Sequence, residues 1–106
     1  MKERIYLNNL YDIYGELLDS KKKEYFEMYY FDNLSLQEIS DNLGVSRNAI
    51  FKQIKNAEAK LLFYEEKLEL FKKKEVLNEV IENTSGSIKE KLESISWWYN
   101  VWKFGE

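Results

Sequence analysis

Six residues within one short stretch have the chemistry of a nucleic-acid reader: Ser46, Arg47, Asn48, Phe51, Lys52 and Lys55. Arginine pairs bidentately with guanine and asparagine with adenine. Lys52 and Lys55 suit phosphates, which set register rather than sequence. On a helix, Arg47, Asn48, Phe51, Lys52 and Lys55 point away from Ile50 and Ile54, so one face is apolar and the other is left for contact. Phe51 has two open readings: contact with a thymine methyl, or cover by another part of the protein. Lys21, Lys22 and Lys23 form a second cationic set. They fall in the first turn of a helix, where the dipole disfavours cations. They read either as a solvated face or as phosphate contacts.

Enzyme chemistry has little to work with. The chain of 106 residues has no Cys, no His and no Pro. That removes thiolates, the commonest general base and the commonest zinc ligand. Glu65, Glu66 and Glu69 alternate with Lys67, Lys72, Lys73 and Lys74, with Glu69 and Lys73 at the i,i+4 spacing of a solvated helix. There is no Gly-rich phosphate loop and no carboxylate cluster of the metal-binding kind. The expectation is a non-enzyme with no cofactor, no metal and no small-molecule substrate. No stretch approaches the ~20 apolar residues of a membrane span, and the N-terminal segment lacks the apolar run of a secretory signal. A cytoplasmic protein is expected.

The elements that position these residues are helical throughout. With no Pro and four Gly the chain has few breakers. Leu7, Leu10, Tyr14 and Leu17 share a stripe, predicting a first helix over Lys2–Leu18. A second, about Lys21–Phe31, comes after the stop and cap at Asp19-Ser20, with Phe26, Tyr29 and Tyr30 facing inward. Ser35 and Glu38 have the spacing of a capping box, flanked by the staple pair Leu34 and Ile39, and open a third helix over Leu36–Leu43. Gly44 ends it. Ser46 caps a fourth helix, with Val45 and Ile50 as its staple, and the pattern permits that helix to run from Arg47 to about Phe71 or beyond. Two helices joined by a short Gly turn are the sequence form of a helix-turn-helix, whose small core is Ile39, Leu43, Val45, Ile50 and Ile54. The fold class is all-α: this unit, a helix before it, a long recognition or dimerisation helix, and a C-terminal helix.

Thr84-Ser85-Gly86-Ser87 is the hinge-like stretch, so the expected division is residues 1–83 and 84–106. Ser87 and Glu90 repeat the capping-box spacing and open a last helix from Ile88 to about Trp102. Its aromatics, Trp97, Trp98, Tyr99 and Trp102, have three open readings: packing on the body, a partner surface, or contact with a membrane surface. On the fourth helix Ile50, Ile54, Ala57, Leu61, Tyr64, Leu68 and Phe71 keep a heptad spacing. The half from Leu61 through Tyr64 and Leu68 to Phe71 needs a cover. That cover is either the first helix folding back or a second copy of the chain.

Tyr29-Tyr30-Phe31-Asp32-Asn33-Leu34-Ser35-Leu36-Gln37-Glu38-Ile39-Ser40, followed by Gly44-Val45-Ser46-Arg47-Asn48-Ala49-Ile50, resembles region 4 of bacterial sigma factors. To about Leu77 the chain resembles the YlxM family of small bacterial proteins more closely. The resemblance is carried by Asn8-Asn9-Leu10-Tyr11-Asp12-Ile13-Tyr14, the Tyr29-Tyr30 pair, and Ala57-Glu58-Ala59 leading into Tyr64-Glu65-Glu66-Lys67-Leu68. It implies a DNA-binding regulator connected with the signal recognition particle, through DNA, the particle's RNA or its GTPase. The Trp97–Trp102 tail departs from the family's pattern. Residues 35–60 carry four cations (Arg47, Lys52, Lys55, Lys60) against three acids (Glu38, Asp41, Glu58), so one copy should grip a polyanion weakly and salt-sensitively.

Overall fold

In a computed structural model, which describes residues 2–84 and 86–91, every regular element is helical: α1 (Lys2–Tyr14), a 3-10 turn (Gly15–Leu17), α2 (Ser20–Tyr30), α3 (Leu36–Leu43), α4 (Arg47–Leu68) and α5 (Leu70–Glu82). Two compact units result, Met1–Leu68 and Glu69–Glu106, a division earlier in the chain than the hinge-like Thr84–Ser87 stretch suggests.

The first helix stops sooner than its stripe predicts. After Tyr14 the chain tightens into the 3-10 turn, and Gly15 is buried against the Tyr11 ring, where a Cβ would meet ring carbons at 3.1 Å. Three residues per turn instead of 3.6 shifts the facing of the next side chains. Leu17 therefore faces solvent, and Leu18 joins Leu7, Leu10 and Tyr14 in the core. Asp19 then caps α2 by accepting from the Lys22 amide at 2.9 Å. Hydrogen bonds from the Lys22 side chain and amide hold the Asp19 carboxyl below its ordinary value.

Phe26 is the centre of an aromatic group. Its ring stacks on Tyr11 at 4.6 Å and on Tyr30 at 4.4 Å between centroids, with Phe31 edge-on. A second group, Tyr25, Ile39, Ile50 and Ile54, is sealed by Met28, Tyr29, Leu34, Leu36, Leu43 and Val45. This is the core expected between α3 and α4, with Tyr25 of α2 added. Tyr29 and Tyr30, expected inward, are only half-buried, and Tyr25 takes the deeper position.

Arg4 ties α1 to the end of α2. Its guanidinium donates to the carbonyls of Tyr29 (2.9 Å) and Tyr30 (3.0 Å) and to Asn33 Oδ1 (2.9 Å). It also lies over the Tyr30 ring, 4.8 Å from the centroid. A cation satisfying the last carbonyls of a helix suits both the open acceptors and the dipole. Asn33 takes a left-handed conformation, φ 57°, which asparagine tolerates better than most residues. All three acceptors converge on one guanidinium nitrogen, Nη2, while the planar group lies over the Tyr30 ring, and lysine has no planar group to hold both contacts at once. Arg4→Lys is therefore expected to lose about 1–2 kcal/mol of stability, read as a lower urea midpoint. An unchanged midpoint would show the clasp to be idle.

The fourth helix also ends early. Glu69 adopts φ 53°, ψ 34°, which breaks the ladder, and α5 restarts at Leu70. Phe71 therefore belongs to the second unit, not to the end of one continuous helix. The buried face of α4 is Ile50, Ile54, Ala57, Leu61 and Glu65. From Leu61 the inward stripe passes to Glu65, with Tyr64 half-buried beside it and Leu68 exposed. The reason is α1: the Tyr14 hydroxyl donates to Glu65 Oε1 at 2.6 Å, and the Tyr14 and Tyr64 rings approach at 5.9 Å. A buried carboxylate is tolerated where a hydroxyl meets it.

In the second unit α5 closes on its own side chains. Asn83 Nδ2 donates to the Glu79 carbonyl at 2.9 Å, and Thr84 Oγ1 donates to that of Val80 at 2.6 Å. Residues 87–91 are helical, in keeping with a helix opening near Ile88. Its continuation to Trp102 and the aromatics at Trp97, Trp98, Tyr99 and Trp102 lie outside the described residues.

Candidate nucleic-acid interface

The turn between α3 and α4 is built by local hydrogen bonds. Ser35 Oγ accepts from the Glu38 amide at 3.1 Å, and Glu38 Oε1 accepts from the Ser35 amide at 2.9 Å, so the capping box is complete. Gly44 ends α3 at φ 66°, ψ 29°, its amide donating to the Ser40 carbonyl. That left-handed step is strained for any residue with a Cβ. Val45 turns inward, and Ser46 Oγ accepts from the Ala49 amide at 3.2 Å to start α4.

Ile50 and Ile54 face the core, so at ~100° per residue Lys52 falls opposite them, while Arg47 lies near the Ile54 edge and is exposed at the first position of the helix. Arg47, Asn48, Phe51, Lys52 and Lys55 are all exposed, as is Ser46 at the helix entrance. At ~100° per residue these five occupy one arc about 140° wide. The structure thus brings the predicted set together on one face of the first turns of α4. Asn48, Ala49, Phe51 and Lys52 line a shallow depression on it. Ala49 is the member that the sequence alone does not mark, because it has no polar group to draw notice.

The cations differ in how free they are. Arg47 and Lys52 have no acidic partner among the described residues. Lys55 Nζ lies 3.3 Å from Glu58 Oε1 and 5.5 Å from the centroid of the Phe51 ring. Glu58 is also held from behind by the Tyr30 hydroxyl, which donates to its other oxygen. Burial, and then that hydrogen bond to Glu58, pushes the Tyr30 phenol above its ordinary value, so it stays a donor. Lys55 is thus partly neutralised, and an incoming phosphate must compete with Glu58 for it.

The other sets lie elsewhere. Lys22 pairs with Asp19 at 2.8 Å and Lys23 with Glu16 at 3.2 Å, while Lys21 is exposed. Of the seam residues, Leu61 is buried, Tyr64 packs against Tyr14, Leu68 is exposed on the last turn of α4, and Phe71 sits on α5. No group of acids able to hold a metal occurs among the described residues, and no described helix is long and apolar enough to cross a membrane.

Comparison with known proteins agrees with this geometry. Residues 1–97 match the family described as “UPF0122: Putative helix-turn-helix protein, YlxM / p13 like”. The chain is 48% identical to UPF0122 protein YlxM of Bacillus subtilis over 88 residues, spanning 79% of this chain and 80% of that one. It is 47% identical to a UPF0122 protein of Caldanaerobacter subterraneus over 78 residues, 74% of this chain and 67% of the relative. With a UPF0122 protein of Bacillus licheniformis it shares 52% over 67 residues, 63% of each. The sequence match, the complete capping box and the Gly44 turn agree: this chain belongs to the YlxM / p13-like family of helix-turn-helix proteins.

Proposed function

We propose that this protein is a nucleic-acid-binding regulator that lays the N-terminal half of α4 in the major groove of DNA. One observation carries the reading. The helix-turn-helix core leaves Arg47, Asn48, Phe51, Lys52 and Lys55 together on one exposed arc, and of its three cations only Lys55 has an acidic partner among the described residues. Arg47 and Asn48 reach base edges, while Lys52 and Lys55 meet phosphates. No catalytic step is part of this role.

The test is electrophoretic mobility shift of the full chain on pooled duplex DNA at low and moderate salt. A shift that weakens steeply with salt supports the reading. Absence of a shift at low salt would sink it. The small local charge excess favours help from a second copy, since two recognition helices multiply the contacts. Light scattering should then find a dimer at tens-of-micromolar concentrations, and a monomer there removes that help.

The modest charge also supports a second reading, drawn from the family resemblance: an accessory that binds the RNA or the GTPase of the signal recognition particle in the cytoplasm. Pull-down with both protein and nucleic acid identified separates the two. Recovery of the particle with no DNA shift favours the accessory.

A further inference from the structure

Glu58 is an acid set among the cations of the candidate interface, and the fold holds it there. At ~100° per residue it falls between Arg47 and Phe51 when viewed down α4, one turn beyond Lys55. Its Oε1 lies 3.3 Å from Lys55 Nζ, and its Oε2 accepts from the Tyr30 hydroxyl at 2.5 Å. Tyr30 is itself anchored: its ring stacks on Phe26 at 4.4 Å and lies under the Arg4 guanidinium at 4.8 Å. The two partners of the ion pair therefore differ. The Glu58 side chain is 15% exposed, and that of Lys55 is 57% exposed. The lysine is free to swing away, while the carboxylate stays. An exposed ion pair is ordinarily weak because two long side chains must be held in one geometry. Here α2 already holds one of them. A phosphate drawn to Lys55 must therefore displace Glu58 from the ammonium, and then sits beside a fixed negative charge, well inside the ~8 Å over which salt screens charges.

We propose that Glu58, positioned by the Tyr30 hydroxyl, is a built-in brake on DNA binding, its carboxylate standing in for a backbone phosphate at Lys55. This rests on the DNA-binding reading above and deepens it. With its charge already met, Lys55 adds little to attraction for any duplex. Base contacts by Arg47 and Asn48 then carry a larger share of the binding, which favours discrimination among sequences over affinity.

The test measures binding of the full chain to pooled duplex DNA across a range of salt. Glu58→Gln keeps an acceptor for Tyr30 and removes the charge. It should bind about threefold more tightly at moderate salt, the scale of one partly exposed ion pair. Its salt slope should steepen by about one unit, because Lys55 becomes a full phosphate contact. In a Lys55→Ala background the same substitution should give no such gain. Tyr30→Phe keeps the stacked ring and unpins the carboxylate, so it should bind between wild type and Glu58→Gln. Glu66→Gln is the control: it removes one negative charge from the same helix, at an exposed position near Lys67.

A Glu58→Gln protein that binds no more tightly than wild type overturns the brake. So does an equal gain in Glu66→Gln, which makes net charge the cause, or a gain that persists without Lys55. Tyr30→Phe binding as wild type does overturns the positioning by α2. In each of these cases wild-type DNA binding stands. No shift by wild type or any variant on any duplex defeats the DNA-binding reading itself, and the brake with it.

Discussion

Phe26→Ala is expected to remove most of the stability of the Met1–Leu68 unit. The side chain is fully buried, with Tyr11 and Tyr30 stacked on its two sides and Phe31 at its edge. Truncating a buried Phe costs about 3–5 kcal/mol, because the lost transfer energy is joined by the cavity left behind. Stacked rings relax poorly into such a hole, since each is also held elsewhere: Tyr11 by its hydrogen bond to Glu27, and Tyr30 by its bond to Glu58. A unit of this length has roughly 3–10 kcal/mol in total, at 0.05–0.15 kcal/mol per residue. Urea unfolding followed by far-UV circular dichroism should show the midpoint collapsing or the native baseline disappearing. Phe26→Leu keeps most of the volume and should cost less, giving a measurable midpoint if the alanine variant does not fold. A loss below about 1 kcal/mol for Phe26→Ala would show that the aromatic group is not the core of the unit.

How much of the fold is legible in the sequence depends on the range of the interactions involved. The Ser35–Glu38 capping box, the Gly44 turn and the Ser46 cap are legible because each closes over a few residues, and the side-chain types are tied to the backbone geometry. The exposed arc of α4 is legible in part for the same reason: once Ile50 and Ile54 are inward, helical periodicity turns Lys52 outward, while Arg47 is exposed because it opens the helix. The Arg4 clasp is not legible. It spans 25 residues to Tyr29, and nothing near Arg4 announces the carbonyls it meets. The burial of Glu65 is hidden likewise, since its partner Tyr14 is 51 residues away and a glutamate on a charged helix normally reads as solvated.

Two helix ends escape the sequence for a different reason. The chain leaves α1 through a 3-10 turn and leaves α4 through a left-handed Glu69, and neither place has a Pro to mark it. Gly15 is the one available clue to the first: a residue without a Cβ against the Tyr11 ring is a packing signal, not only a flexible one. Glu69 carries no such signal. A continuous heptad through Leu68 and Phe71 therefore looks sound in the sequence, although the covering helix α1 fixes Glu65 as the next inward position.

The double substitution Arg47→Ala, Lys52→Ala separates DNA binding by α4 from binding by any other surface. Both side chains are exposed and neither has an acidic partner among the described residues, so their removal disturbs no packing. The urea midpoint should move by less than about 0.5 kcal/mol in stability. Binding should fall far more. Loss of an arginine on a guanine edge costs about 1–3 kcal/mol, and loss of a phosphate contact lowers the salt slope by about one unit. Together these predict at least a thirtyfold weaker shift at moderate salt, or about 2 kcal/mol. The single variants should differ in kind: Arg47→Ala should relax preference among duplexes, while Lys52→Ala should weaken all of them alike. Lys67→Ala is the control for each single variant, because it removes the same one positive charge from the same helix, but near Glu66 on the last turn. If the double variant binds as wild type does, α4 is not the reading element. If the Lys67 variant weakens binding as much as either single variant does, then net charge rather than the arc governs. The predicted separation comes from the fold itself, because the side chains that hold α4 in place face the core while Arg47 and Lys52 face out.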